Sequence, residues 1–310
     1  LIIINNMFAV THRKIFYTFS AILIGASLAL VFVFGLKPSI DFTGGSLLEV
    51  SYPTGRPNQS EIEAALAGFN LGNVVVRQTG DAGVLVKMPT IDSQTKDEVE
   101  MALSLDGQLE VFEERFNTVG PTLGKELVTK SAVALLMVIL AIVLYVAYVF
   151  RHVTRPVSSW RYGFVAIIAL AHDIVITLGT FALLGFLLGT EVDTLFVTAL
   201  LVILGYSVND SIVVLDRVRE NLAQQPEKER GHQFEETVGR SVQETLGRSL
   251  NTALTTVLAL VALVIFGGEA TRDFAIALIV GIVAGTYSSI CIASPLLVSF
   301  FEKQKHALKK

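Results

Sequence analysis

The chain has 310 residues, 52% of them hydrophobic and 17% charged, with a formal net charge of -4. An ordinary soluble chain carries about 25% charged residues, so the composition points to a membrane protein. With so small a charge and no basic cluster interleaved with aromatics, nucleic-acid binding is excluded. One cysteine, Cys291, lies inside an apolar run, which excludes a disulfide framework and a multi-cysteine metal site.

At about 1.5 Å per residue, a helix needs roughly 20 apolar residues to cross a hydrocarbon core of about 30 Å. The first such run is residues 15–36, closed by Lys37-Pro38. It is too long, and too poor in small residues at its far end, for a cleaved signal peptide, and reads as a retained anchor. The opening Leu1-Ile-Ile-Ile is not a natural start and suggests a trimmed N-terminus.

Residues 46–119 have the charge and turn content of a soluble fold. A strand over 47–52 ends at Pro53. A helix begins at Asn58-Gln-Ser60, with Ile62, Ala65, Leu66 and Phe69 on one face. Strands over 74–77 and 84–87 flank a Gly80-Asp-Ala-Gly83 turn, a second helix covers 93–105, and 108–116 alternates as a last strand. The order βαββαβ is the split βαβ, or ferredoxin-like, arrangement. The segment contains no histidine, its carboxylates lie mostly on polar helix faces, and it needs no cofactor. Gly120-Pro-Thr-Leu-Gly124-Lys125-Glu126 is not a phosphate loop. It has three residues between the glycines, not four, and Glu126 where a Ser or Thr would hold magnesium.

Five further apolar runs follow: residues 133–150; 162–188, carrying His172 and Asp173; 195–215, interrupted by Asn209 and Asp210; 250–266; and 274–301. The chain is thus an α-helical polytopic membrane protein of six transmembrane helices with a small α+β domain between the first two. Its expected divisions are 1–37 (N-terminus and first helix), 38–128 (extracytoplasmic domain), 129–302 (helices two to six, with a cytoplasmic loop over 217–248) and 303–310 (basic tail). Cations cluster at His12, Arg13 and Lys14, at Arg151, Arg155 and Arg161, at Arg217, Arg219, Lys228, Arg230 and Arg240, and at Lys303, Lys305, Lys309 and Lys310. The alternate connections are cation-poor, so both termini are expected in the cytoplasm and residues 38–128 outside.

An Asp at the centre of a membrane helix costs about 2.5–3.5 kcal/mol on insertion scales, and it ordinarily faces protein or water. Asp210 lies about 15 residues, roughly 22 Å, along the fourth helix. Ser207 shares its face, and Asn209 flanks it. On the fifth helix Arg248, Asn251, Thr252 and Thr255 form one stripe, at a depth from which Arg248 could reach Asp210. A proton relay of Asp210, Arg248, Thr252 and Ser207 is the expectation, against helix-packing hydrogen bonds and a snorkelling arginine. His172 and Asp173 point about 100° apart and need not form one site; either a proton path or interhelical bonding is open to them. Gly281, Gly285 and Ser289 read as a close-packing face.

These positions also carry a resemblance. Asp41-Phe-Thr-Gly-Gly45, Val119-Gly-Pro-Thr-Leu-Gly124, Ala171-His-Asp173, Gly205-Tyr-Ser-Val-Asn-Asp210 with Asp216-Arg-Val-Arg-Glu-Asn221, Phe266-Gly-Gly-Glu269 and Gly285-Thr-Tyr-Ser-Ser289 occur in the order found in the SecF family. The chain resembles that family over nearly its whole length. The resemblance implies one six-helix half of a resistance-nodulation-division assembly, with SecD as the other half. It implies a bacterial inner-membrane subunit that uses the proton-motive force, not ATP, to assist late preprotein movement from the SecYEG channel, with YajC as a further partner. It places the family's intramembrane aspartate on Asp210 and its arginine on Arg248, and Asp41, Gly44 and Gly45 are expected to act as a hinge. Membrane lipid is the only other ligand expected, with no metal and no enzymatic activity. A passive scaffold and half of a small-molecule exporter are the competing readings. The exporter should have a larger, pocketed domain, and an intramembrane protease would need a second catalytic aspartate.

Overall fold

The computed structural model describes residues 8–69, 71–151, 157–226, 230–231 and 233–307. Arg155, Lys228, Lys309 and Lys310, counted above toward orientation, and the opening Leu1-Ile-Ile-Ile lie outside the described residues. The chain divides into two compact units, Pro38–Ala132 and the remainder.

The helical unit begins with α1 (Phe8–Thr11) and the first crossing helix α2 (Arg13–Phe34). The smaller unit follows: α3 (Ile40–Thr43), β1 (Gly45–Ser51), α4 (Gln59–Leu66), β2 (Val75–Thr79), β3 (Gly83–Met88), α5 (Ser93–Leu103) and β4 (Phe112–Val119). Its four strands lie in the order β2-β3-β1-β4, all antiparallel, as the split βαβ arrangement requires. Alternate residues of the strands face the helices, so Leu48, Val50, Val76, Val84 and Val86 meet Ile62, Leu66, Val99 and Leu103 in one core. Tyr52 closes it, its hydroxyl donating to the Leu103 carbonyl at 3.0 Å. Asn58 and Glu61 cap α4 reciprocally, and Asp92 caps α5 through the Thr95 amide at 2.9 Å. Lys96 joins α5 to β4 through Glu113, at 2.5 Å, and also meets Glu100. These bonds push the Lys96 ammonium up to about 12.

The motif around Gly44 and Gly45 fixes how the chain enters this unit. Ser39 caps α3, and Gly44 and Gly45 then take φ of 76° and 129°, open to glycine at little cost. A Cβ on Gly45 would stand 2.8 Å from the Met88 carbonyl oxygen, and one on Gly124 would stand 3.0 Å from the Phe42 oxygen. The two glycine motifs therefore pack against each other. Asp41, Gly44 and Gly45, expected as a hinge, stand in this closely packed segment.

The helical unit continues with α6 (Pro121–Val149), α7 (Ser159–Leu188), α8 (Thr194–Ala223), α9 (Phe234–Phe266) and α10 (Glu269–Ser288), which runs through a π turn (Ser289–Ala293) into α11 (Ser294–Ala307). Among the described residues six helices are long and apolar enough to cross a membrane, α10 to α11 counting as one. The loop expected over 217–248 is largely helical, since α8 runs on to Ala223 and α9 starts at Phe234. Charge pairing supports these extensions: Arg217 reaches Glu244 at 2.6 Å, and Asn221 reaches Ser241 and Glu244 at 2.9 and 2.8 Å. At the same end Arg13 bonds Glu235 and Glu302, joining the starts of α2 and α9 to α11.

Small residues let α10 lie close on α8. A Cβ on Gly281 would collide with the Ile203 side chain, and one on Gly285 would stand 3.2 Å from the Ser207 Cβ. Gly179 is pressed in the same way against Ser27, which brings α7 onto α2. Two apolar clusters fill the bundle, one around Phe150, Tyr162, Leu215 and Phe234, the other around Phe181, Phe196, Leu200 and Ile282.

Candidate functional site: two carboxylates inside the helical unit

Asp173 and Asp210 are both buried within crossing helices, Asp173 completely. Hydroxyls meet them both. Asp210 on α8 accepts from Ser249 of α9 at 2.6 Å and from Ser289 of the π turn. Asp173 on α7 accepts from Ser207 of α8 at 2.5 Å and from Ser288 of α10 at 2.9 Å, both through Oδ2. Its Oδ1 faces the Nδ1 of His172 at 2.9 Å. His172 and Asp173, which need not have formed one site, do form one.

Helix geometry explains the assignment. Ser207 lies one turn before Asp210 on α8 but turns toward α7, where Gly285 leaves room for Asp173 to approach within 3.4 Å of a Cβ position. The π turn places consecutive serines on different helices, Ser288 toward α7 and Ser289 toward α8. Such turns occur mostly inside α-helices and frequently at functional sites. Here Ser294 Oγ closes it by donating to the Ser289 carbonyl at 3.1 Å. Ser289, read from spacing as a packing residue, is thus a ligand of Asp210.

Arg248 does not meet Asp210 in this conformation: the neighbouring Ser249 faces the carboxylate, and Arg248 is exposed. Among the described residues no ion pair joins Asp173 or Asp210 to a lysine or arginine. Asn251, Thr252 and Thr255 are exposed beside Arg248, with Thr252 Oγ1 donating to the Arg248 carbonyl at 2.8 Å. Asn209 is exposed as well. The expected relay therefore separates into a buried set (Asp210, Ser249, Ser289), a second buried set that includes Ser207, and an outward-facing polar stripe on α9. Ser249 and Ser288 were missed as ligands, and Ser289 was read only as a packing residue, because spacing does not say which line of a helix faces a carboxylate on its neighbour.

Residues 100–303 match the family described as protein export membrane protein SecD/SecF, C-terminal, and residues 29–52 match the SecD/SecF GG motif. The chain is 39% identical over 306 residues to the protein translocase subunit SecF of Thermobaculum terrenum, covering 95% of this chain and 94% of that one. It is 40% identical over 288 residues to the SecF of Anaerolinea thermophila, covering 92% and 91%. The crystal structure of SecDF from Thermus thermophilus, a translocon-associated membrane protein, superposes with a TM-score of 0.78 at 34% identity. That match covers 93% of this chain and 38% of the other, so the present chain spans well under half of SecDF. A super-membrane-facing form of SecDF gives a TM-score of 0.63, also at 34% identity, covering 97% of this chain and 39% of that one.

Fold, site and relatives together define a multi-pass α-helical membrane protein with a small α+β domain, of the SecD/SecF class of export proteins. Within that class, the two relatives named above, each matched over more than nine-tenths of both lengths, are SecF subunits. The chain belongs to the SecF family of protein translocase subunits.

Proposed function

We propose that this chain is the proton-responsive half of a two-part accessory to the Sec translocase, with a SecD-type protein as the other half. In this reading it sits in the bacterial inner membrane with both termini in the cytoplasm, and it draws on the proton-motive force to assist preproteins late in their passage through SecYEG, in company with YajC. The observation that carries the reading is Asp210, buried in a crossing helix and held by two hydroxyls from different elements with no bonded cation among the described residues. A hydroxyl donates or accepts with equal ease, so Ser249 and Ser289 satisfy Asp210 whether it is a carboxylate or a carboxylic acid.

The polar stripe of Arg248, Asn251, Thr252 and Thr255 supports the second half. An exposed arginine on a membrane-spanning helix needs a protein or aqueous partner. Among the described residues none bonds the Arg248 side chain, and a facing half would supply a partner. Arg248 then acts across the joint between halves, sensing the charge on Asp210 through movement of α9. Moving one elementary charge through 100 mV is worth about 2.3 kcal/mol, which biases a two-state equilibrium some fifty-fold. The extracytoplasmic domain is the moving part that meets the preprotein, and the Asp41 to Gly45 joint couples it to the start of α6.

The test is proton flux and preprotein export in vesicles holding both halves with Asp210→Asn. The variant should assemble at normal abundance and lose proton-dependent assistance. Full activity at normal abundance would leave a passive scaffold as the reading, since Asn keeps the packing and the hydrogen bonds.

A further inference from the structure

We propose that Asp173 is a second proton-carrying group, loaded through His172, and that Ser288 and Ser289 tie its state to that of Asp210. The proposal rests on the proton-coupled reading above and extends it to a residue on another helix.

The geometry is specific. Asp173 accepts from two serines through Oδ2, so Oδ1 is left to His172. His172 is itself buried, and its Nε2 has no hydrogen-bond partner. A neutral imidazole with Nδ1 committed to a carboxylate and Nε2 free is arranged as a conductor. A proton taken up at Nε2 gives the imidazolium, and the Nδ1–H bond then breaks as a new O–H bond forms on Asp173 Oδ1. The ring is neutral again, now as the Nε2–H tautomer, and Asp173 is a carboxylic acid; charge and proton number balance at each step. The ring lies against Tyr287, centroids 5.8 Å apart, and the Tyr287 hydroxyl meets Ser20 at 3.0 Å and donates to the Phe16 carbonyl at 3.2 Å. The groups bonded to Asp173 are therefore His172 on its own helix, Ser207 on α8 and Ser288 on α10, with Tyr287 against the His172 ring.

Coupling follows from chain connectivity. Ser288 and Ser289 share a peptide bond, one hydroxyl serving Asp173 and the other Asp210. A carboxylate asks each serine to donate. Protonated Asp210 can donate to one of its serines, whereas Asp173 protonated at Oδ1 leaves Oδ2 a weaker, uncharged acceptor and frees the Ser288 hydroxyl for the Gly285 carbonyl at 3.1 Å. Reorienting either serine perturbs the turn that holds the other, so loading one carboxylate changes the affinity of the other by the same factor in both directions. Ser288 and Ser289 are positioning residues in this scheme.

Infrared difference spectroscopy between acid and alkaline buffer tests it, on the full chain reconstituted with its second half and carrying carbon-13-labelled aspartate. The expected result is two buried carboxyl bands. Asp210→Asn removes one and leaves the other, His172→Phe retains both but slows loading of the survivor by about a hundredfold, and Ser289→Ala shifts the midpoints of both bands. If Asp173→Asn folds poorly, the band surviving in Asp210→Asn makes the assignment alone. No surviving buried band in Asp210→Asn overturns the proposal while leaving the Asp210 reading intact. A wild type with no titrating buried carboxyl overturns both. A Ser289→Ala shift confined to one band overturns the coupling.

Discussion

Gly44 lies directly against Pro121: a Cβ added to Gly44 would stand 2.9 Å from the Pro121 Cα, and Gly44 already holds a φ of 76°. Backbone faces backbone here, so neither side can yield as a flexible side chain would. Gly44→Ala should therefore cost about 1–3 kcal/mol from the backbone conformation alone, and more from the collision. Gly80, at φ 52° with open space around it, is the control, and Gly80→Asn should be nearly silent. Hydrogen exchange of β1 and β4 amides in the two variants reads the difference.

The approach of α10 to α8 gives a second pair of outcomes. Gly281→Ala pushes on the Ile203 side chain, while Gly205→Ala on α8 meets nothing within 4 Å. The first should lower stability by about 1–3 kcal/mol through overpacking. The second should be neutral or slightly stabilising, since alanine favours helix. Thermal retention of detergent-purified protein distinguishes them.

Arg248 is exposed, so Arg248→Met should leave the helical unit folded at normal abundance. Under the proposed two-half arrangement it should weaken co-purification with the SecD-type half and abolish proton-dependent export. Wild-type export activity in Arg248→Met would remove Arg248 from the mechanism.

Tyr52 supplies a pH prediction outside the membrane spans. Burial pushes its phenol from the ordinary value near 10 to about 12. The unfolded chain ionises first, so this contribution to stability is complete below pH 10 and is lost as pH rises toward 12. Tyr52→Phe leaves the Leu103 carbonyl unpaired, and should cost about 1–3 kcal/mol at neutral pH. It should also flatten the alkaline decline, followed by melting of the domain from neutral pH into that range.

Much of the architecture was legible because its signals are local. Runs of apolar residues mark crossings by length, and the alternation in 84–87 and the Gly80 to Gly83 turn mark a hairpin without any knowledge of partners. The buried site was legible only in part. Asp210 and Asp173 announce themselves as charges in apolar runs, but their ligands depend on how helices rotate about their axes. Sequence spacing gives depth along a helix and relative angle within it; it does not say which line faces the neighbour. Arg248 was expected to reach Asp210, yet the line of α9 that faces Asp210 runs through its neighbour Ser249. Similarly, α8 and α9 extend beyond their apolar runs because Arg217, Asn221 and Glu244 hold them together, and hydropathy is blind to such pairs.

The π turn has a consequence for everything that follows it. An α-helix repeats every 3.6 residues, so one extra residue in an unbroken helix would turn everything after it by about 100°; a π turn takes that residue up locally. In α11, Leu297 and Val298 face the core with the extra residue absorbed in this way. Deleting Cys291, which lies within the turn, would therefore leave Leu297 and Val298 facing inward but close the wide turn, and Ser294 would lose the carbonyl it now serves. Replacing the turn by regular helix without a deletion would instead swing the end of the sixth crossing round, so the local widening at the serines sets which side of α11 the bundle sees.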